Sequence, residues 1–350
     1  MNAGAAHSDA ALIADLPPIA VSLGDPAGIS PELLAEAWSR RTTHTLLPFF
    51  ATHGLSVLEH AARTRGLAVR VQRIADPAEA AAVFPHALPV LGDADCAYRP
   101  GLPDESGARL ALASLDFATR LAVSGEASAV VTGPIAKSRL AAIGFSHPGQ
   151  TEFVAAACGR GPDECVMMLA GPQLRTVPIT IHTALAHVPG LLTRELIEAK
   201  GRIVAAAMRR DFGLPSPRLA FAALNPHAGE DGRMGDEEAR IIAPAIAALQ
   251  AEGIAATGPH PADALFAPHN RDSFDAALCM YHDQALIPIK ALDFDAGVNV
   301  TLGLPVVRTS PDHGTAFGIA GKGSAHPGAT VAAIRMAGQC AARRALATPQ

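Results

Sequence analysis

Residues 19–38, IAVSLGDPAGISPELLAEAW, decide the fold class. Ile19-Ala20-Val21-Ser22-Leu23 is an apolar, strand-forming run, cut short by the turn formers Gly24, Asp25, Pro26 and Gly28. Behind the turn Ser30 reads as an N-cap and Pro31 suits the first helical position. Leu33, Leu34, Ala37 and Trp38 then recur on one helical face. Strand, tight turn and helix make half of a βαβ unit. The reading is therefore a parallel α/β architecture, in which ligands bind outside the carboxyl ends of the strands.

The same alternation continues outward. Leu110, Ser114, Phe117 and Leu121 mark a helical face before the apolar run Ser128 to Thr132 and the loop Gly133-Pro134-Ile135-Ala136-Lys137. Further strands are expected at Val166 to Leu169, Val177 to Ile181, Leu219 to Leu224, Ala276 to Met280 and Val306 to Arg308. A periodic helix is expected near Leu196, Ile203, Val204 and Met208. A last, structural helix is expected near Val331 to Ala345, carrying Arg335, Arg343 and Arg344. The 350 residues suit roughly two domains. No composition shift marks a linker, so the chain is expected to cross between domains more than once.

Composition narrows the function. With 49% hydrophobic and 17% charged residues the chain can bury a real core, which excludes disorder as its dominant state. The net charge of −5 comes without a run of like charge, so no electrostatic footprint for nucleic acid or an anionic membrane is present. Aromatic residues, at 4%, are too few for base-stacking platforms. The five cysteines are odd in number and form no C-x-x-C pair, which argues against a disulfide framework or a cysteine zinc site. A reducing, cytoplasmic setting is expected, with neither secretion signal nor membrane span, and a small molecule as partner.

Three histidines follow strand candidates directly: His182 after Val177 to Ile181, His227 after Leu224-Asn225-Pro226, and His282 after Leu278 to Tyr281. Any single one of the 14 histidines is more often a cap or a surface residue. Three at strand ends of one sheet form the set that binds Zn, Co or Ni and leaves a coordination position open for catalysis. Lys290, Asn299 and Arg308 follow at near-even intervals, and the apolar residues before Lys290 and Arg308 imply partly buried cations that need an anion such as phosphate or carboxylate. Surface salt bridges are the ordinary alternative. Gln150 and Thr151 open a helix after Pro148-Gly149, where hydroxyl, amide and free N–H groups can hold an anion or simply cap the helix. No G-x-G-x-x-G follows the first strand, and neither a P-loop nor H-E-x-x-H occurs.

Five longer motifs carry a resemblance. They are Gly24-Asp25-Pro26-Ala27-Gly28-Ile29, Thr132 to Lys137, Leu224-Asn225-Pro226-His227-Ala228-Gly229-Glu230, Tyr281-His282-Asp283-Gln284 and Ser310-Pro311-Asp312-His313-Gly314-Thr315-Ala316. In this order, over nearly the whole chain, they resemble the 4-hydroxythreonine-4-phosphate dehydrogenases (PdxA family) of vitamin B6 biosynthesis. The resemblance implies two α/β/α domains of the isopropylmalate and isocitrate dehydrogenase type, with the active site in the interdomain cleft at a homodimer interface. On that fold the first domain is assigned to residues 17–145 and 297–350, the second to 146–296, and residues 1–16 to a loose tail.

By the same resemblance His182, His227 and His282 are metal ligands (Zn, Co or Mg) shared between subunits. Gln150, Thr151, Lys290, Asn299 and Arg308 bind a phosphorylated substrate. His313, Gly314, Thr315 and Ala316 belong to an NAD or NADP loop that replaces the missing Rossmann fingerprint. The implied reaction oxidises 4-phosphooxy-L-threonine to 2-amino-3-oxo-4-phosphooxybutanoate, which decarboxylates to 3-amino-2-oxopropyl phosphate. Asp263 and Asp283 are candidates for the general base, or for partners that orient a ligating histidine. The family usually has Gly at the position of Ser30, His at that of Gln150 and Asp at that of Gly318. Gln150 cannot supply imidazolium's charge or proton, which leaves related substrates such as threonate or erythronate 4-phosphate open. A metal-dependent lyase without redox chemistry and a two-lobed solute-binding module are the competing classes.

Overall fold

The computed structural model describes residues 15–347. Most of the expected tail at 1–16 therefore lies outside the described residues. The chain forms two compact units, one running up to Pro162 and resuming at Leu304, the other spanning Asp163–Gly303. Residues 146–162, expected in the second domain, belong to the first unit, because the helix Gln150–Ala157 packs on the long helix Glu105–Ser124. Residues 297–303 go the other way: they lie in the second unit, where Val298–Leu302 pairs with Val166–Ala170.

In the first unit the strands are β1 (Ile19–Ser22), β2 (Phe49–Thr52), β3 (Val71–Ile74), β4 (Leu88–Leu91), β5 (Val130–Thr132) and, after the excursion into the second unit, β12 (Arg308–Pro311). They lie in the order β3-β4-β2-β1-β5-β12, and every pairing among them is parallel. β1 is central and fully buried, as its apolar run demands. Ala118, Leu121 and Ala122 of the helix Glu105–Ser124 pack on Ala20, Phe50, Leu91 and Val130. The polar member of that helical face, Ser114, is buried at the strand ends. Its Oγ accepts from Leu23 N (2.8 Å) and donates to the Thr52 carbonyl (2.7 Å). Ser30 is not the N-cap: the helix Ser30–Ser39 takes Ile29 as its cap residue, without a side-chain cap.

The second unit holds β6 (Val166–Ala170), β7 (Arg175–Pro178), β8 (Arg218–Ala222), β9 (Ala255–His260), β10 (Ala276–Cys279) and β11 (Val298–Leu302), in the order β11-β6-β7-β10-β8-β9. It departs from the expected parallel sheet, since β6 pairs antiparallel with both β7 and β11. The segment between β6 and β7 is a tight turn closed by Gly171 N to Leu174 O (2.9 Å), far too short for a parallel crossover. Beyond it β7, β10 and β8 are parallel neighbours, so their carboxyl ends open on one edge. Ala285, Leu286 and Ile289 of the helix His282–Asp293 cover Ala220, Ala222, Ala277 and Cys279. No described helix is long and apolar enough to cross a membrane.

Gly133 shows how closely β1 and β5 end. A Cβ there would lie 2.6 Å from Ser30 Oγ and 2.8 Å from both Gly24 N and Ser22 O. Gly133→Ala is expected to cost about 1–3 kcal/mol, the usual range for overpacking. The single tryptophan, Trp38, is buried in the same unit, and its fluorescence in a denaturant titration reads the loss.

Candidate active site

The histidine edge of the second unit is built from strand ends. His182 follows β7, His282 follows β10 and His227 follows β8, which are three adjacent parallel strands. Hydrogen bonds tie the first two ends together: Ile179 N donates to Cys279 O (2.7 Å), and the buried Thr180 donates its Oγ1 to Met280 O (2.8 Å). The His182 and His282 rings consequently stand 5.7 Å apart. They share a cavity of about 230 Å³ whose wall includes Tyr281, Asp283 and Leu185. Asp283 Oδ1 lies 2.8 Å from His282 Nδ1. A carboxylate can only accept, so in the neutral ring Nδ1 carries the hydrogen and Nε2 keeps its lone pair for a ligand.

His227 rides on an unusual turn. His227, Ala228, Gly229, Glu230 and Asp231 all have positive φ, a left-handed run that costs roughly 1–2 kcal/mol at each non-glycine residue. The buried Glu238 holds it: Oε1 accepts from Leu224 N (2.9 Å) and Asn225 N (2.8 Å), and Oε2 accepts from Asn225 Nδ2 (3.0 Å). Lys200 donates to the Ile179 carbonyl (2.7 Å), and burial holds its ammonium below the usual lysine range. Neither Glu238 nor Lys200 was expected from the sequence. Lys200 lies on the helix Arg194–Phe212 and Glu238 opens the helical turn Glu238–Ile242, and neither carries a local signal that marks it. Among the described residues no three His, Cys, Asp or Glu side chains of this chain gather to hold a metal ion. His182 and His282 come together, and His227 exposes its ring on the neighbouring loop.

In the first unit Arg308 opens β12 and is 4% exposed. It donates to Thr132 Oγ1 (2.7 Å) and Thr151 Oγ1 (3.2 Å). Burial pushes its guanidinium down to about 10, against the pull of Glu152, so it stays cationic at neutral pH. Thr132, the polar residue ending the expected strand 128–132, joins the cluster. Gln150 donates one Nε2 hydrogen to the Gly133 carbonyl (2.9 Å), and its Oε1 is buried without a partner. Only the amide nitrogen can face that carbonyl, so the side chain leaves an acceptor over. Lys290 and Asn299 are half-buried in the second unit, on the helix His282–Asp293 and on β11. Asp263 is exposed in the short helix Ala262–Leu265.

The loop His313 to Ala316 packs on the first strand-helix turn. Ile29 N donates to Thr315 O (3.0 Å), and a Cβ on Gly28 would lie 2.7 Å from that same oxygen. Burial lowers the His313 pKa, partly offset by Gly314 O and Asp312, and Nε2 lies 3.2 Å from Thr330 Oγ1. A Cβ on Gly314, Gly318 or Gly323 would meet nothing within 4 Å, so this backbone is open to a ligand.

Comparison with known proteins places this geometry. The model of the pyridoxal phosphate biosynthetic protein PdxA family matches residues 48–337. The chain belongs to that family. It is 65% identical over 328 residues to a 4-hydroxythreonine-4-phosphate dehydrogenase of Erythrobacter litoralis, covering 94% of this chain and 98% of that one. Its fold matches the crystal structure of a 4-hydroxythreonine-4-phosphate dehydrogenase from Klebsiella pneumoniae with a TM-score of 0.83 and 35% identity, over 93% and 99% of the two chains. A terephthalate 1,2-cis-dihydrodiol dehydrogenase from Burkholderia xenovorans matches at TM-score 0.64 and 28% identity, over 93% and 98%. The protein is an oxidoreductase with a mixed α/β fold. The lyase and solute-binding classes are set aside.

Removing one oxygen's acceptor capacity from the His227 turn tests its construction. Glu238→Gln must turn an amide donor toward N–H groups at one of its two ends, and is expected to cost about 1–3 kcal/mol. Faster amide hydrogen exchange in residues 224–235 is the accompanying signal.

Proposed function

We propose that the protein oxidises the C3 hydroxyl of 4-phosphooxy-L-threonine with NAD or NADP, in a step that needs a divalent metal, and so serves vitamin B6 synthesis. What carries the reading is the near full-length likeness to a protein named 4-hydroxythreonine-4-phosphate dehydrogenase. The product, 2-amino-3-oxo-4-phosphooxybutanoate, is a β-keto acid that loses CO₂ to give 3-amino-2-oxopropyl phosphate. Such a ligand presents anions, an ammonium and hydroxyls. Arg308, held by Thr132 and Thr151, supplies a cation with its desolvation cost already met, and Lys290 and Asn299 are taken as further substrate-binding residues on the family likeness. The spare Gln150 acceptor suits a ligand hydroxyl or ammonium rather than a phosphate oxygen.

The residues fit a zinc, cobalt or magnesium ion in part. Two imidazoles whose rings lie 5.7 Å apart can both reach one ion at about 2 Å, and Asp283 fixes one of them in the ligating tautomer. Among the described residues one chain does not gather three donors, and the proposal takes a second copy to complete the set. Exposed Ile181, Leu185 and Ile287, on the same loop and helix as His182 and His282, suit such a homodimer. When bound, the metal supplies a Lewis acid that favours the deprotonated hydroxyl and the carbanionic charge left by decarboxylation. A bound nicotinamide would supply the hydride acceptor for C3, and the loop from His313 to Ala316, with open space at Gly314 and at the nearby Gly318, is where the dinucleotide's adenosine half is proposed to lie. Asp283, engaged with His282, orients that ligand, which leaves Asp263 to take the hydroxyl proton. A cytoplasmic location is part of the same proposal.

Purified protein given 4-phosphooxy-L-threonine and NAD⁺ is expected to form NADH, to lose this activity to a chelator and to regain it with Zn²⁺, Co²⁺ or Mg²⁺. Absence of nicotinamide reduction by folded, metal-loaded protein would overturn the reading; turnover of erythronate or threonate 4-phosphate instead would assign the related substrate class. Asp263→Asn is expected to keep its metal and lose roughly 10²–10⁴-fold in rate, as removal of a general base does. Loss of metal content would reassign Asp263 to orienting a ligand.

A further inference from the structure

Gln284 sits in the third position of the helix His282–Asp293, behind the cap residue Tyr281, which makes no side-chain cap. It is 8% exposed, and both ends of its amide are used. Oε1 accepts from Met280 N (2.7 Å), as a glutamine at this helix position commonly does when it reaches back to cap the turn. Nε2 points the other way and donates to the Ala223 carbonyl (2.7 Å), at the end of β8. A cap needs only the oxygen, and a carboxylate would serve it better at a helix N-terminus. The bond to Ala223 requires a donor, so the bridge, not the cap, demands glutamine.

The bridge spans two ligand-bearing strands. Met280 lies two residues before His282, and Ala223 lies four before His227. The Met280 carbonyl is taken from the other side by Thr180, two residues before His182. Chemically the three strand ends are thus joined through one backbone residue, with Gln284 as the link to β8. We infer that Gln284 is a positioning residue for the histidine edge, fixing the start of the His282 helix against the end of β8 so that His282 is held for the divalent cation. The inference rests on the metal reading given under Proposed function. Partners that orient a metal ligand from behind commonly set its affinity, and the two hydrogen bonds of Gln284 are such partners for the His282 helix end.

The test compares wild type, Gln284→Glu and Gln284→Met, stripped of metal and titrated with Co²⁺, whose visible absorption reports ligand geometry. Thermal melts run in parallel, so that affinity is read on folded protein. Glu keeps the cap and loses the donor; Met keeps neither. The positioning role predicts that both variants bind Co²⁺ about 10–100-fold more weakly, the range for lost partners of metal ligands, with an altered absorption band. A purely capping role predicts wild-type affinity and spectrum for Gln284→Glu, and that result would overturn the inference. If Gln284→Glu does not fold, Gln284→Met decides: unchanged affinity and spectrum overturn it equally. Failure of the wild type to bind Co²⁺ would overturn the metal reading itself, a result distinct from equal binding by all three proteins.

Discussion

Where a parallel strand stops, its backbone donors and acceptors lose their ladder partners while still buried, and each must find a side chain. This constraint organises both units. In the second, Gln284, Thr180, Lys200 and Glu238 meet the groups exposed at the ends of β7, β10 and β8. In the first, Ser114 closes Leu23 N and the Thr52 carbonyl, and Ser22 Oγ accepts from Gly133 N (3.1 Å). The candidate site residues come immediately after these closures, so the polar groups that satisfy the fold are also what aim the functional side chains.

The His227 turn shows the cost of such an arrangement. A run of left-handed residues persists only where its surroundings over-determine it. Glu238, with both oxygens committed to the start of the turn, supplies that restraint. Gly229 permits the packing, since a Cβ there would lie 2.8 Å from Glu238 Oε2. Strain is thus placed in the residue expected to serve as a ligand, where a fixed position is worth more than local stability.

Five strands were legible as apolar runs, while the runs at 177–181 and 306–308 only overlap β7 and β12 at one end, and the first strand-turn-helix was enough for the fold class. β2, β3 and β4 were not read as strands; β3 carries Gln72 and Arg73 at its centre, and β4 contains Pro89. β9 contains Gly258 and Pro259, which read against a strand, yet it lies at the outer edge, where an absent N–H costs nothing. β11 alternates Val298-Asn299-Val300-Thr301-Leu302, with Asn299 at the half-buried position of an otherwise buried strand. The antiparallel β6 was implied by the short spacing to β7, which cannot hold a crossover. Ser30 looked like a cap because serine commonly is one, but its Oγ is instead packed close to Gly24 and Gly133.

By itself the sequence determined the α/β class and the family and marked the candidate site residues, because strand ends are marked locally by a polar residue after an apolar run. Tertiary structure alone decided what those residues do to one another. It directed one Gln150 Nε2 hydrogen to Gly133, leaving an acceptor, and set Asp283 on His282. It brought His182 to His282 without assembling three donors among the described residues. It also gave Gln284, Thr180 and Glu238 their partners. Those outcomes depend on which strands lie side by side, and hydrogen bonds between residues far apart in the chain have no local trace in its sequence.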